Sequence, residues 1–186
     1  MTTEPNSASA GSNEDPLTDF SNCHVGIINN FERLRTLSLT EIESPVQADV
    51  KTSAKKLYAF FRDVVLEHHS EEEQELFAEV KDSSRKGGDD AAKALGMIDQ
   101  LVREHRSLEA QWKAIESDIK QLSKGKPASL DQEAAGKLAD DYLAHANFEE
   151  QEFLPLSAKL LGERGLSSLG LSLHMRHTHV SIPNYI

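Results

Sequence analysis

Four stretches of this chain repeat apolar residues at alternating steps of three and four, and in each a histidine stands where the stripe calls for an aliphatic or aromatic side chain. Such spacing marks a helix with one buried face. The first stretch, roughly 17–37, carries Phe20, His24, Ile27, Phe31 and Leu34. The second follows a linker holding Ser44-Pro45, carries Leu57, Phe61, Val64, His68 and Glu72, and breaks around 83–88. The third, about 90–123, carries Ile98, Leu101, His105, Leu108, Trp112, Ile115 and Ile119. The fourth opens after Lys124-Gly125-Lys126-Pro127, with Ser129 expected as N-cap and Glu133 near the first turn, and reads Leu138, Tyr142, His145, Glu149, Glu152, Leu156.

No stretch shows the alternation of a strand. Short connections make consecutive helices antiparallel neighbours, so the expected fold is all-α, an antiparallel up-down four-helix bundle over residues 17–160. Residues 1–16 are polar and are expected to form a disordered tail. Gly162 and Gly165 punctuate residues 161–186, where a short C-terminal helix is expected around 166–175.

Length and composition narrow the function. The 186 residues make about one domain. With 20 Lys and Arg against 31 Asp and Glu, the net charge of −11 repels phosphate backbones and anionic lipid, which argues against nucleic-acid or membrane-surface binding. No basic-then-apolar leader is present and no apolar run approaches the ~20 residues of a membrane helix, so a cytoplasmic protein is expected. Cys23 is the only cysteine, which rules out an internal disulfide framework or a Cys-rich metal cluster within one chain. Metal chemistry here must use imidazole and carboxylate.

The histidines His24, His68, His105 and His145 supply one imidazole per helix, and His68 and His145 are each followed at i+4 by a glutamate, Glu72 and Glu149. Positions i and i+4 share a helix face, so each pair aims the same way. A carboxylate in a bundle core costs several kcal/mol unless a cation or donor compensates it. A lone histidine on an apolar face usually serves the core; four of them, with two identical His-x-x-x-Glu spacings, do not read as accidents of packing. Four imidazoles and two carboxylates in one core suit two metal ions, with the carboxylates bridging. The rest of the acidic runs, Glu71, Glu73, Glu75, Glu150 and Glu152, read as solvated charge, with Glu150 the alternative ligand at i+5 from His145. His69 lies about 100° around the helix from His68 and reads as a surface or supporting residue. Tyr142 shares the stripe of His145 and is placed either to hydrogen-bond a bound oxygen species or, more commonly for a core tyrosine, to pair its hydroxyl within the protein. Cys23 falls off the stripe and reads as a small buried hydrophobe.

The combined pattern is His24, then His68-x-x-x-Glu72-Glu73 with Leu76-Phe77, then Glu104-His105-Arg106 with Leu108, then His145-x-x-x-Glu149-Glu150 with Phe153-Leu154-Pro155. It resembles the hemerythrin-like HHE cation-binding domain over about residues 17–160. The resemblance implies a non-haem centre of two iron ions, with His24, His68, His105 and His145 as ligands and Glu72 and Glu149 as bridges. It implies binding or sensing of O₂, NO or peroxide, with catalase-like peroxide turnover or iron sensing within its range; it leaves the identity of any protein partner open. One departure stands out. The oxygen-carrying hemerythrins have a second histidine on the third helix, a turn after the first, where this chain has Glu109. Glu109 is then either a ligand or a solvated edge residue, and His174, His177 and His179 are candidate replacement imidazoles. A ferritin-like di-iron enzyme needs Glu-x-x-His on two helices, but Ser21, Val65, Val102 and Tyr142 stand three before the histidines. The remaining alternative is a metal-free structural or interaction bundle, in which His68→Ala and Glu72→Ala would be tolerated or stabilising.

Overall fold

The computed structural model describes residues 16–179, with side chains up to Arg176. The stretch 1–15 of the expected tail and the last seven residues lie outside the described residues. Every regular element among the described residues is helical. Helix α1 is Pro16–Ser38, α2 spans residues 48–83, α3 is Asp89–Ser123, α4 spans residues 132–161, and α5 spans residues 163–179. None of the described helices is long and apolar enough to cross a membrane.

The boundaries have local causes. Helix α4 starts at Gln132, where the Asp131 carboxylate accepts the Ala134 N–H at 3.0 Å, so Asp131 and not Ser129 is the N-cap. Glu133 does lie in the first turn. At the far end, Gly162 has φ 56° and ψ −173°, a left-handed backbone that favours glycine, and it separates α4 from α5. Gly165 is simply helical, and the terminal helix is longer than the expected 166–175.

Two of the bundle helices are not uniformly α. Helix α2 contains π turns at Phe61–Val65 and Glu72–Leu76, and α4 contains one at Glu149–Phe153. In these turns the backbone bonds reach five residues: the N–H groups of Leu66, Phe77 and Leu154 bond the carbonyls of Phe61, Glu72 and Glu149. The extra residue shifts the phase of the helix, so Val65 is fully buried while Val64 is exposed, one step from the expected stripe.

The core falls into two apolar clusters. One gathers Ile27, Phe31, Leu34, Leu57, Phe61, Leu108, Trp112, Ile115 and Leu138, with Phe61 stacked on Trp112 at 4.1 Å. The other gathers Phe20, Leu76, Phe77, Val80, Ile98, Leu101, Phe153 and Leu169. On each of the four long helices a band of buried histidine and glutamate divides the first cluster from the second: His24 on α1, His68, His69 and Glu72 on α2, His105 on α3, His145 and Glu149 on α4. Helix α5 lies along α2, where Ser168 donates to Glu79, Ser172 bonds Glu75, and Arg176 donates to Glu67, Ser70 and Gln74.

Candidate metal centre

The buried band is an array of donor atoms without hydrogen-bond partners. The Nε2 atoms of His24, His68, His69, His105 and His145, Glu72 Oε2 and both Glu149 oxygens are buried and make no hydrogen bond. An orphaned buried polar atom costs about 1–3 kcal/mol, so the whole layer is suited to hold a bound cation. The atoms converge. His24, His68, Glu72 and Glu149 each offer a ligand atom within 4.8 Å of the others, as do Glu72, His105, His145 and Glu149, and again His69, His105 and His145.

Glu72 spans the two sides of this array. Its Oε1 lies 3.3 Å from His68 Nε2 and 3.8 Å from His24 Nε2, and its Oε2 lies 3.3 Å from His105 Nε2. Glu149 Oε2 is 2.9 Å from His24 Nε2 and 3.4 Å from His145 Nε2, without the alignment of hydrogen bonds. Two donors each about 2.1 Å from one cation sit about 3.0–3.4 Å apart at 90–110°, so these separations match edges of a coordination shell. The donor set is nitrogen and carboxylate oxygen, which fits iron, manganese or zinc.

The outer ring nitrogens are tied down. Glu150 faces His24 Nδ1 at 2.7 Å, Glu73 faces His105 Nδ1 at 2.8 Å, and Glu104 faces His145 Nδ1 at 2.9 Å. A carboxylate at Nδ1 fixes the tautomer that leaves Nε2 free as a ligand and raises its basicity. Glu150 is further held by Ser21 and Glu73 by Arg106. Thus Glu73 and Glu150 are not the solvated charges that the acidic runs suggest, and Glu104 joins them. Only His68 has no partner at either nitrogen. Glu104→Ala should weaken cation binding about 10–100-fold by releasing His145, measured by chelator competition; Glu152→Ala, which removes only a surface partner of Lys93, should leave it unchanged.

The family model of the hemerythrin HHE cation-binding domain matches residues 15–157. This chain belongs to the hemerythrin HHE family. In the same comparisons no curated protein and no solved structure gives a significant match.

Within this HHE domain all six residues singled out by spacing, His24, His68, Glu72, His105, His145 and Glu149, are buried and brought together. His69 is the seventh. It is 1% exposed, which removes the surface position and keeps the supporting one of the two expected from its phase, and its ring stacks on His105 at 4.0 Å. Glu109 stands at the edge of the domain, its Oε1 3.3 Å from His69 Nδ1 and 3.0 Å from Arg106. His174 is exposed, and the side chains of His177 and His179 lie outside the described residues. Tyr142 is fully buried and stacks on Phe31 at 4.4 Å, but its hydroxyl is unpaired rather than satisfied within the core. Cys23 is off the stripe as expected, yet exposed rather than buried.

The carboxylates and imidazoles divide their charge. Burial opposes a charge on His24, but Glu149, Glu72 and Glu150 outweigh it and push its pKa up to about 9. Burial likewise works against ionised Glu149, yet His145, His24 and His68 hold it down at about 2. Burial and the neighbouring Glu149 push Glu72 well above the ordinary carboxylate range. His68 lies well below the ordinary histidine value through burial and its neighbour His24, and His69 falls to about 4 through burial, which outweighs the opposing Glu109.

These shifts set a pH dependence for the metal-free domain. A raised His24 pKa means that the folded state holds a proton that the unfolded state releases above about 6.5. The stabilisation is therefore complete below pH ~6.5 and lost as pH rises through about 9, at most about 3 kcal/mol. Glu72, also raised, has the same sign. The urea midpoint in chelator should fall between pH 6.5 and 9, and saturation with cation, which takes the place of the proton, should flatten that fall.

Proposed function

We propose that this protein holds two non-haem iron ions in its buried His and Glu layer, with Glu72 and Glu149 bridging them, and that its ligands are O₂, NO or peroxide. The observation that carries the reading is Glu72 itself, whose two oxygens face two different groups of unpaired imidazoles. Bound iron supplies the redox chemistry toward small oxygen and nitrogen ligands. The chain's own residues do the rest. His24 and His68 serve one ion and His105 and His145 the other, while Glu150, Glu73 and Glu104 hold Nδ1 of His24, His105 and His145 so that Nε2 faces inward. The apolar clusters on both sides of the layer keep bulk water from it. A cleft of about 310 Å³ between α3 and α4, lined by Gln100, Glu104, Leu108 and His145, brings solvent to one wall of the site. The unpaired Tyr142 hydroxyl is a donor for a ligand that enters.

We also read residues 17–160 as an antiparallel up-down bundle, with the terminal segment as an accessory. The pairings that support it run in opposite senses: residue 24 meets 150 and 35 meets 140, while 69 meets 109 and 73 meets 105.

The test is the metal content of untagged protein together with its visible spectrum before and after azide and, separately, peroxide. About two irons per chain, with absorption that shifts on azide, is the expected result. Rapid oxygen evolution from peroxide would assign catalase-like turnover; two irons without it would leave a carrier or sensor. Trace metal that His68→Ala leaves unchanged would overturn the proposal.

A further inference from the structure

We infer that His69 is a metal-binding residue, the third imidazole on the cation held by His105 and His145, and that Glu109 positions it. The inference rests on the two-ion reading above. It starts from the helix phase: the π turn at Phe61–Val65 brings Val65 inward, and His69, one α turn later, shares the face of Val65 and Glu72. Adjacent histidines thus serve opposite sides of the layer. His68 groups with His24, Glu72 and Glu149, and His69 groups with His105 and His145.

The local environment of His69 repeats that of the other ligands. His24, His105 and His145 each present Nδ1 to a carboxylate on a neighbouring helix and leave Nε2 unpaired in the core. His69 does the same, with Glu109 on α3 as the carboxylate and Nε2 buried without a partner. Arg106 holds Glu109 from the outer side. A histidine present only to stack on His105 has no use for an inward, unpaired Nε2, and a buried site for such an atom is disfavoured unless something binds it. Glu109, by contrast, is partly exposed and paired on both flanks, so it is placed to orient an imidazole and not to ligate in its stead.

The test counts nitrogens. X-ray absorption on the iron- or cobalt-loaded wild-type protein should give five imidazoles shared by two ions, and His69→Ala should give four, with one of the two ions bound at least tenfold more weakly. Glu109→Ala should weaken the same ion while leaving the count at five. His69→Gln, which fills much of the same volume, guards against a packing defect: it should melt close to wild type in chelator yet show the same metal deficit. Wild type with two ions and four imidazoles, or His69→Ala and His69→Gln with wild-type stoichiometry and affinity, would overturn the inference. The wild-type count decides it even if both variants fail to fold. A wild-type protein that takes up no cation would instead bring down the two-ion reading itself.

Discussion

Glu149→Ala is expected to strip the protein of both cations and to leave the metal-free bundle less stable by about 3–5 kcal/mol. The double effect follows from its position. Its Oε2 lies between His24 Nε2 on one side and His145 Nε2 on the other, so neither of the two proposed ions keeps its full set of donors without it. In the metal-free state Glu149 is also the principal counter-charge of His24, whose pKa it helps to hold at about 9. Removing it takes the nearest carboxylate from His24 Nε2 and leaves that imidazolium with Glu150 at Nδ1 and the more distant Glu72, in a core where His24 and Glu149 are about 1% exposed. Metal analysis and urea unfolding in chelator read the two effects separately. A metal-free structural bundle predicts the opposite, a neutral or stabilising change from deleting a buried carboxylate, and a variant as stable as wild type with its metal intact would exclude the bridging role.

The second large effect is expected outside the polar layer. Phe77→Ala should cost about 3–5 kcal/mol and lower the melting temperature by roughly 10 °C or more in a domain of this size. Phe77 is fully buried, with its ring 5.9 Å from His105 in a stacked arrangement and 5.2 Å from Phe153 edge-on. It closes the apolar cluster directly beneath the candidate ligands, and its N–H bonds the Glu72 carbonyl. The truncation should therefore also loosen His105 and weaken cation binding by a smaller factor than any ligand deletion. A loss under about 1 kcal/mol in chelator would mean that the cluster refills the space.

The helices and the burial of the six expected ligands were legible because a buried charged or imidazole group on an apolar stripe breaks the pattern without breaking the period. His24 and His105 are found at their expected depth, and Ile27, Phe31, Leu108 and Ile115 around them are buried as the stripe requires. The misses share a cause. The stripe through Val64 and the placement of His69 at a surface or supporting position both assume 3.6 residues per turn, whereas the π turn at Phe61–Val65 contains Val64 and precedes His69. Nothing in the side chains of Phe61–Val65 announces that turn; the adjacent pair Leu76-Phe77, both fully buried where the second π turn ends, is the closest local sign of such a shift. The Nδ1 carboxylates were visible only as acidic runs, since spacing along one helix says nothing of which imidazole on the next helix a glutamate reaches. Asp131 displaced Ser129 as the cap because both are good capping residues two positions apart, and the Asp131 carboxylate meets Ala134 N–H.

The π turns at Glu72–Leu76 and Glu149–Phe153 make this chain unequally sensitive to changes of length. Each begins at a buried carboxylate of the polar layer and ends at an apolar residue fully buried in the second cluster, Leu76 or Phe153. A substitution at Gln74 or Gln151 touches one side chain. Deleting either residue would let the turn relax into regular α-helix while everything after it kept its face, because the π turn already holds one residue more than an α turn. Val80 and Leu154, both buried, would stay in the core. One codon lost at these two points is thus a milder lesion than one lost or gained in a regular stretch such as Ala48–Phe60, where the phase of all that follows, His68 and His69 included, would turn by about 100°.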